Sequence, residues 1–281
     1  MPIFAQKKPR TMRKIALITY ITAVLAATVI TACDDKPKQT EKKTKSTFMQ
    51  QGDNAETSGK IEMPRTRRGA KEQILQRKGY AVSYNPDWLI ANWVAYEITP
   101  EEAYARGERG SGFEADPDIR GRKALPRDYV RSGYDRGHLA PAGDMKWNYR
   151  AMQETFYLTN ICPQNHELNS GLWNDLEQAV RRWARREGPI WVCTGPMVGK
   201  NARRVGYNGV AVPDKFFKAV CRQRNGHYQG IAYIFDNRPL PGNFQDYAIS
   251  IDSLETITGH DFFPALPDEE ENRMERRTYS F

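Results

Sequence analysis

The sequence predicts an α+β fold, with a mixed or antiparallel sheet and packed helices, in the part of the chain that follows residue 78. Three observations support this prediction. Short runs of β-branched and aromatic residues recur along the chain, one long segment has apolar residues at helical spacing, and we find no internal repeat. With 281 residues, of which 40% are hydrophobic, the chain is long enough to bury a proper core.

The strongest helix signal covers residues 170–187, where Leu172, Leu176 and Val180 recur at helical spacing and a Gly-Pro pair follows. Asn169 stands just before this segment, at the position of an N-cap. The predicted strands are extended runs rich in β-branched and aromatic side chains. They cover residues 93–98, 155–160, 190–194, 215–220 and 229–235.

Residues 1–32 are predicted to be a secretory signal peptide. Five lysines and arginines precede an apolar run over residues 15–30, which leads into Ala32 and Cys33. A cysteine directly after a small residue resembles the lipobox of bacterial lipoproteins, in which the thiol carries a diacylglycerol. The alternative is a single transmembrane anchor, because the run is close to the shortest spanning length. Met1 and Met12 both remain as candidate starts.

Either interpretation predicts an exported protein, and lipidation of Cys33 predicts a membrane-anchored lipoprotein of the bacterial cell envelope. Residues 33–78 are rich in Lys, Thr, Gln, Ser and Glu and poor in large apolar side chains. Such a segment buries too little apolar surface to offset its ordering entropy, so we expect a flexible tether. Residues 79–281 are therefore predicted to form the folded domain.

The formal charge of +8 is not by itself evidence for nucleic-acid binding, because the excess lies in the first 78 residues. Residues 79–281 carry 25 basic and 27 acidic side chains. Within them, residues 103–224 carry 21 basic and 13 acidic side chains. The charge therefore favours an anionic partner only if the middle of the folded part forms a basic face.

The cysteine count limits the disulfides that the chain can form. Besides Cys33 there are Cys162, Cys193 and Cys221, an odd number, so at least one thiol is unpaired within the chain. A disulfide between Cys193 and Cys221 is possible if the strands that carry them are neighbours. No Cys/His spacing matches a zinc site.

The first segment that carries chemistry is Asp135-Arg136-Gly137-His138, which places an acid, a guanidinium and an imidazole within four residues. Its glycine allows the backbone to bend or to approach another group closely. Taken alone, a histidine beside an aspartate and an arginine is most often a structural hydrogen-bonding residue.

The second segment runs from Asn160 into the predicted helix. Asn169, Trp173, Glu177 and Arg181 are each four residues apart, so they form one ridge along a regular helix. A capped helix with a Glu-to-Arg pair would explain part of this pattern. It would not explain why a carboxamide, a carboxylate and a guanidinium share one side of the helix.

Together the two segments resemble the DNA/RNA non-specific endonuclease family, a branch of the ββα-metal (His-Me finger) nucleases. The resemblance extends over roughly residues 80–270 and includes the stretches 92–96, 194–196, 212–218 and 258–264. It implies a ββα-metal motif within the α+β fold. It also implies a metal-dependent, sequence-non-specific endonuclease that hydrolyses DNA and RNA and leaves 5′-phosphate ends.

The resemblance also assigns site residues. It implies that His138 is the general base and that Asn169 is the single protein ligand of Mg²⁺, or of another divalent cation such as Mn²⁺. Glu177 would support the metal from outside its ligand sphere. Arg136 and Arg181 would contact phosphate or transition-state charge.

Asn160 would support the geometry of the site, by orienting the histidine or its strand.

One departure from the family pattern concerns an upstream arginine. The family has an arginine directly before the aromatic residue that matches Phe113, whereas this chain has Ser111-Gly112 there, with Arg106 and Arg109 nearby. The competing interpretations are a non-catalytic, tethered nucleic-acid-binding lipoprotein and an enzyme that acts on a different phosphodiester, such as a nucleotide. The sequence specifies no oligomeric state.

Overall fold

The computed structural model of the protein describes residues 59–281, and its central feature is a seven-stranded antiparallel sheet. The predicted signal peptide, Cys33 and the larger part of the predicted tether lie outside the described residues. Between residues 59 and 281, no helix is both long enough and apolar enough to cross a membrane. The architecture confirms the α+β prediction.

In chain order the strands are β1 (Gln73–Gln76), β2 (Ala81–Asn85), β3 (Ile90–Ile98), β4 (Asp135–His138), β5 (Ile161–Gln164), β6 (Ile190–Met197), β7 (Arg204–Val205), β8 (Val210–Ala211), β9 (Lys215–Arg224), β10 (His227–Asp236) and β11 (Ala248–Ile249). The large sheet has the order β1-β2-β3-β6-β9-β10-β11, and all its pairings are antiparallel. Two small sheets pair β4 with β5 and β7 with β8.

The helices are α1 (Pro100–Tyr104), α2 (Tyr149–Glu154), α3 (His166–Leu168), α4 (Asn174–Glu187), α5 (Ile251–Thr258) and α6 (Asp268–Glu275). They cover both faces of the large sheet. Side chains of a strand alternate between its faces, so Phe216 and Val220 of β9 share a core cluster with Leu176 of α4. Phe217 of β9 belongs instead to a cluster with Leu254 of α5. The sheet is therefore the middle of three layers.

Four of the five predicted strands are confirmed as β3, β6, β9 and β10, each longer than predicted. The prediction over residues 155–160 is wrong. That stretch is a series of turns in which the Phe156 and Tyr157 amides donate to carbonyl groups three residues earlier, followed by a 3₁₀ turn at Leu158–Asn160. Its side chains Thr155, Phe156 and Thr159 are buried, but its backbone bonds locally and through a single bridge to Glu114 rather than along a neighbouring strand.

The tether predicted for residues 33–78 does not extend to residue 78. Met63 is buried, and the backbones of Arg65 and Asp261 exchange two hydrogen bonds of 2.8 and 3.1 Å. The edge strand β1 pairs with β2 along its full length. Because the side chains of an edge strand are partly exposed, its polar composition is compatible with both a strand and a linker.

Cys162, Cys193 and Cys221 are free thiols. Cys193 and Cys221 do lie on the neighbouring strands β6 and β9, but the register places Cys193 opposite Ala219 and Cys221 opposite Trp191. All three cysteines of the described residues are buried and unbonded, and burial raises the pKa of each thiol. Buried, protonated thiols of this kind are inert packing groups.

Candidate active site

The two sequence segments meet in a β-β-α arrangement. Strand β4 carries Asp135 to His138 and pairs antiparallel with β5, so that His138 lies opposite Ile161. The chain then continues directly into the helical segment that ends in α4. Gly137 is required at this crossing, because a Cβ atom there would overlap the side chain of Gln164. The motif glycine therefore allows the two short strands to approach closely.

A cavity of about 420 Å³ opens between β4 and the start of the helix. Its lining includes Arg136, His138, Asn169, Glu177 and Arg181, which are five of the six residues assigned from the resemblance. Segments more than 40 positions apart in the sequence thus contribute to one concave surface. Concave sites with a few convergent polar groups are the usual location of catalysis.

His138 is held against aromatic side chains. Its ring centre lies 5.5 Å from that of Phe113 and 5.1 Å from that of Phe156. The Nε2 atom is buried and has no hydrogen-bond partner among residues 59–281. Burial, together with the smaller effect of the positive charge of Arg109, lowers the pKa of His138 to about 3. The imidazole is therefore neutral at pH 7 and can accept a proton.

Asn169 does not cap the helix, contrary to the sequence prediction. The cap is Asn165, whose Oδ1 accepts a hydrogen bond from the Leu168 amide, whereas the backbone of Asn169 is already helical. The Asn169 Nδ2 donates to the Asp135 carboxylate at 2.9 Å. This bond fixes the orientation of the carboxamide and leaves its Oδ1 free for another partner. His166 contacts the same carboxylate at 2.9 Å.

The helix is irregular between Asn169 and Trp173, where the turn is wider than an α-helix and Gly171 has non-helical dihedral angles. Consequently the predicted ridge does not present all four side chains to the cavity. Trp173 is buried in the core, and its indole Nε1 donates to the His138 carbonyl at 3.2 Å. Widened helical turns of this kind occur frequently at functional sites.

Arg181 bonds to an aspartate that the sequence analysis did not identify. Its Nη1 lies 2.5 Å from the carboxylate of Asp144, which is wholly buried and also accepts a 3.0 Å hydrogen bond from the Tyr96 hydroxyl. The alternative of a Glu177–Arg181 pair is therefore wrong, because Asp144 is the ion-pair partner of Arg181. Glu177 is half-buried at the cavity wall.

Arg136 and Asn160 have different surroundings. The Arg136 guanidinium lies 5.1 Å from the ring centre of Phe113 and donates to the Pro126 carbonyl at 3.2 Å. Asn160 does not line the cavity. Its side chain accepts from the Ala140 amide and donates to the carbonyl groups of Ala140 and Thr155. It thereby holds the backbone two residues beyond His138.

The structure distinguishes Arg106 from Arg109, the two arginines near the position at which this chain departs from the family pattern. Arg109 lines the cavity, with its guanidinium 5.6 Å from the ring centre of Phe156. Arg106 is exposed and is not part of the cavity lining. Arg109 is therefore a residue of the site, whereas the sequence did not decide between Arg109 and Arg106.

The donors in the cavity fit a hard divalent cation. Such ions prefer oxygen ligands and retain several waters, so one carboxamide oxygen with a carboxylate close by is a suitable set. Asn169 offers an oriented Oδ1, and Glu177 offers carboxylate oxygens. A separate group of carboxylates, Asp252, Glu255 and Glu275, lies on α5 and α6 and contributes nothing to this cavity.

Comparison with known proteins agrees with this geometry. A family model described as DNA/RNA non-specific endonuclease matches residues 57–269. The mitochondrial endonuclease G of Bos taurus and that of Homo sapiens are each 34% identical over 209 residues, which covers 69% of this chain and 70% of either relative. The mitochondrial nuclease of Saccharomyces cerevisiae is 33% identical over 223 residues, covering 71% of this chain and 68% of that protein.

Solved structures give the same result. A chain from the crystal structure of an EndoG/EndoGI complex superposes with a TM-score of 0.67 at 27% identity, covering 72% of this chain and 89% of that chain. The family model alone spans both site segments and most of the described domain. The chain therefore belongs to the DNA/RNA non-specific endonuclease family, and it is a nuclease.

Proposed function

We propose that the protein is a metal-dependent, sequence-non-specific endonuclease that hydrolyses phosphodiester bonds of both DNA and RNA and leaves 5′-phosphate ends. The observation that carries this proposal is the neutral imidazole of His138 in the wall of a cavity with three arginines, Arg109, Arg136 and Arg181. A phosphodiester is anionic and repels hydroxide. Its hydrolysis therefore needs a base for water beside fixed positive charge.

His138 is the general base in this proposal. Its depressed pKa keeps it unprotonated at neutral pH, and the imidazole lines the cavity, where it can take a proton from an attacking water. The Trp173 bond to the His138 carbonyl and the Asn160 bonds to Ala140 hold the backbone on both sides of the imidazole. A base fixed in this way needs little reorganisation during proton transfer.

Asn169 would hold the divalent cation through Oδ1, with Asp135 fixing the orientation of the carboxamide. Glu177 would orient water around the cation by hydrogen bonds rather than bind the cation itself. When bound, Mg²⁺ or Mn²⁺ would polarise the phosphoryl oxygen and stabilise the charge on the departing 3′-oxygen.

The arginines supply phosphate contacts. Arg136 and Arg109 present guanidinium groups at the cavity, and these stay charged at all physiological pH values. Groups that contact only phosphate position the substrate without reading its bases. This arrangement supports cleavage with low sequence specificity on both kinds of nucleic acid.

The full-length protein is expected to nick supercoiled plasmid DNA and to degrade structured RNA when Mg²⁺ is present. Both activities should disappear in excess EDTA and return when Mg²⁺ or Mn²⁺ is added. The cut ends should be ligatable without kinase treatment, because they carry 5′-phosphate. Cleavage that persists in EDTA would refute the metal requirement. DNA binding with no cleavage under any metal would favour a non-catalytic binding lipoprotein.

Replacing Arg109 by alanine is expected to lower kcat/KM by about 10- to 100-fold, the effect of losing one charge-assisted hydrogen bond to phosphate. Arg106→Ala is the matched control, because Arg106 is exposed outside the cavity. Steady-state cleavage of one labelled duplex compares the two variants with the parent. An equal loss in both would mean that general surface charge, rather than a contact in the cavity, is responsible.

We also propose that the protein is an exported lipoprotein anchored to a membrane of the bacterial cell envelope through Cys33. The proposal rests on the charged leader, the apolar run and the cysteine that follows Ala32. The Cys33→Ser variant lacks the acceptor thiol, so cells that express it should accumulate an unlipidated precursor. Labelling with a radioactive fatty acid decides between the outcomes, since equal incorporation in the variant and the parent would rule out lipidation at Cys33.

A further inference from the structure

Three carboxylates from two helices meet on the face of the large sheet away from the active site. Asp252 and Glu255 lie on α5 and Glu275 lies on α6, and one carboxylate oxygen from each lies within 4.8 Å of the others. Both helices pack into the core cluster of Phe217, whereas α4 packs on the opposite face of the sheet. This carboxylate group is therefore remote from the cavity between β4 and α4.

Glu275 is the most buried member of the carboxylate group. Its exposed fraction is 8%, and an oxygen of its side chain points into the group. Among the described residues its carboxylate forms no ion pair and no hydrogen bond. Removing a carboxylate from water is costly unless a counter-charge or a donor replaces the water. Here the nearest polar atoms are oxygens of two further carboxylates.

A second glutamate of α6 is in the same situation. The Oε1 atom of Glu271 is buried and has no hydrogen-bond partner in the described part of the chain. Glu271 lies four residues before Glu275, so the two side chains are on the same side of α6. One short helix thus removes two carboxylate groups from water without a donor that replaces it.

The basic side chains of this region are paired elsewhere. Arg65 forms a 2.8 Å ion pair with Asp261, and Arg273 on α6 bonds to Glu270. Within residues 59–281, neither the carboxylate group nor Glu271 has a basic side chain as its ion-pair partner. Carboxylates held this close repel each other, so the arrangement calls for a positive charge from outside the chain.

The number and spacing of the oxygens fit Ca²⁺. This ion accepts oxygen ligands at about 2.3–2.6 Å in a flexible geometry, so oxygens up to about 5 Å apart can share it. Mg²⁺ keeps several waters and is usually held by one or two carboxylates rather than by three. Glu255 is already oriented, because the Phe262 amide donates to its Oε1 at 2.7 Å.

We propose that Asp252, Glu255 and Glu275 form a Ca²⁺ site that ties α6 to α5. Glu271 adds a further carboxylate on the same side of α6. The ion would offset the repulsion among these side chains and supply the partner that Glu275 lacks within the described residues. The family model matches the chain only as far as residue 269, so both glutamates of α6 lie beyond the matched region.

The site would fasten the C-terminal segment to the domain. Beyond α6, the Ser280 carbonyl accepts a 2.8 Å hydrogen bond from Arg222. The Phe281 ring lies 4.0 Å from the Arg222 guanidinium and packs against Trp183 of α4. Because α6 connects these contacts to α5, a bound Ca²⁺ should stabilise the folded domain. It should not change the rate of cleavage, since the ion lies on the other face of the sheet.

Thermal unfolding of the full-length protein measures the stabilisation. Ca²⁺ at about 10 mM should raise Tm by about 3–10 °C relative to NaCl of equal ionic strength, as expected for a dissociation constant of about 0.1–1 mM. Glu275→Gln should abolish this increase. Carboxylates that share protons instead of an ion would give a Tm that rises on mild acidification but not with Ca²⁺, and this result would overturn the proposal.

Equilibrium dialysis with ⁴⁵Ca²⁺ locates the ion. Glu275→Gln should bind one Ca²⁺ per chain fewer than its parent, both in the natural sequence and in an Asn169→Ala background, where the ligand proposed for the active site is absent. Glu269→Gln, an exposed position on the same helix, is the matched control and should bind as much as the parent. Equal Ca²⁺ binding with and without the Glu275 carboxylate would overturn the proposal. Neither measurement depends on cleavage, so a failure of the proposed function would leave this test intact.

Discussion

Replacing His138 by alanine is expected to slow cleavage by about 10²- to 10⁴-fold, the contribution of a positioned general base. His138 is the only histidine among the described residues that line the cavity, and it lies there with the three arginines. Binding of uncut DNA, measured by fluorescence anisotropy in EDTA, should change little. The phosphate contacts come from Arg109 and Arg136 instead.

A second buried histidine provides the control. His260 is also buried, its pKa is also lowered by burial, to about 4, and it packs against Phe217 and Phe262 on the opposite face of the sheet. His260→Ala should cost stability but leave the single-turnover rate of the folded fraction unchanged. If His138→Ala keeps the parental rate at neutral pH, or if both variants lose activity equally, the base assignment is wrong.

Asn169→Asp is expected to fold and to lose at least about tenfold in single-turnover rate, an increase of roughly 1.4 kcal/mol in the barrier. The substitution keeps one oxygen but replaces the amide that donates to Asp135 by a second carboxylate. Two like charges at that distance repel each other, so the side chain leaves the position from which it would hold the cation. Asn169→Ala should lose more, and excess Mg²⁺ should restore only part of the rate.

The neighbouring cap residue separates a metal role from a helix role. Asn165→Ala removes the actual N-cap, which should cost about 1 kcal/mol and lower Tm by about 2–4 °C with no change in rate. Asn165→Asp should preserve both. Melting curves and single-turnover cleavage are measured on all four variants. Full activity with a lowered Tm in Asn169→Ala would mean that this residue only stabilises the helix.

The fold could be predicted where an element is long and strongly patterned. The apolar strands β3, β6, β9 and β10 and the amphipathic part of α4 follow from local periodicity. Predictions failed where tertiary contacts decide the backbone. Residues 155–160 have strand-like side chains but form turns with a single bridge to Glu114, and the polar strand β1 is held by its partner β2. The composition of a segment does not reveal a partner strand that is distant in the sequence.

The site followed the same rule. His138 and Asn169 belong to the compact motifs that carry the family resemblance, and the resemblance assigned their roles. Asp144 was missed because it meets Arg181 only through packing against α4.

The central claim, that Asn169 anchors a divalent cation beside His138, is tested most directly by counting bound metal. Electron paramagnetic resonance with Mn²⁺ is performed on the full-length His138→Ala protein with duplex DNA, which this variant is expected to cut at least about 100-fold more slowly than the parent. One Mn²⁺ per chain should bind, and adding Asn169→Ala should weaken its affinity by about tenfold or more, as expected for loss of the only protein ligand. Adding Asn165→Ala should leave the affinity unchanged. Equal Mn²⁺ binding with and without Asn169 would contradict the account and place the cation on other groups.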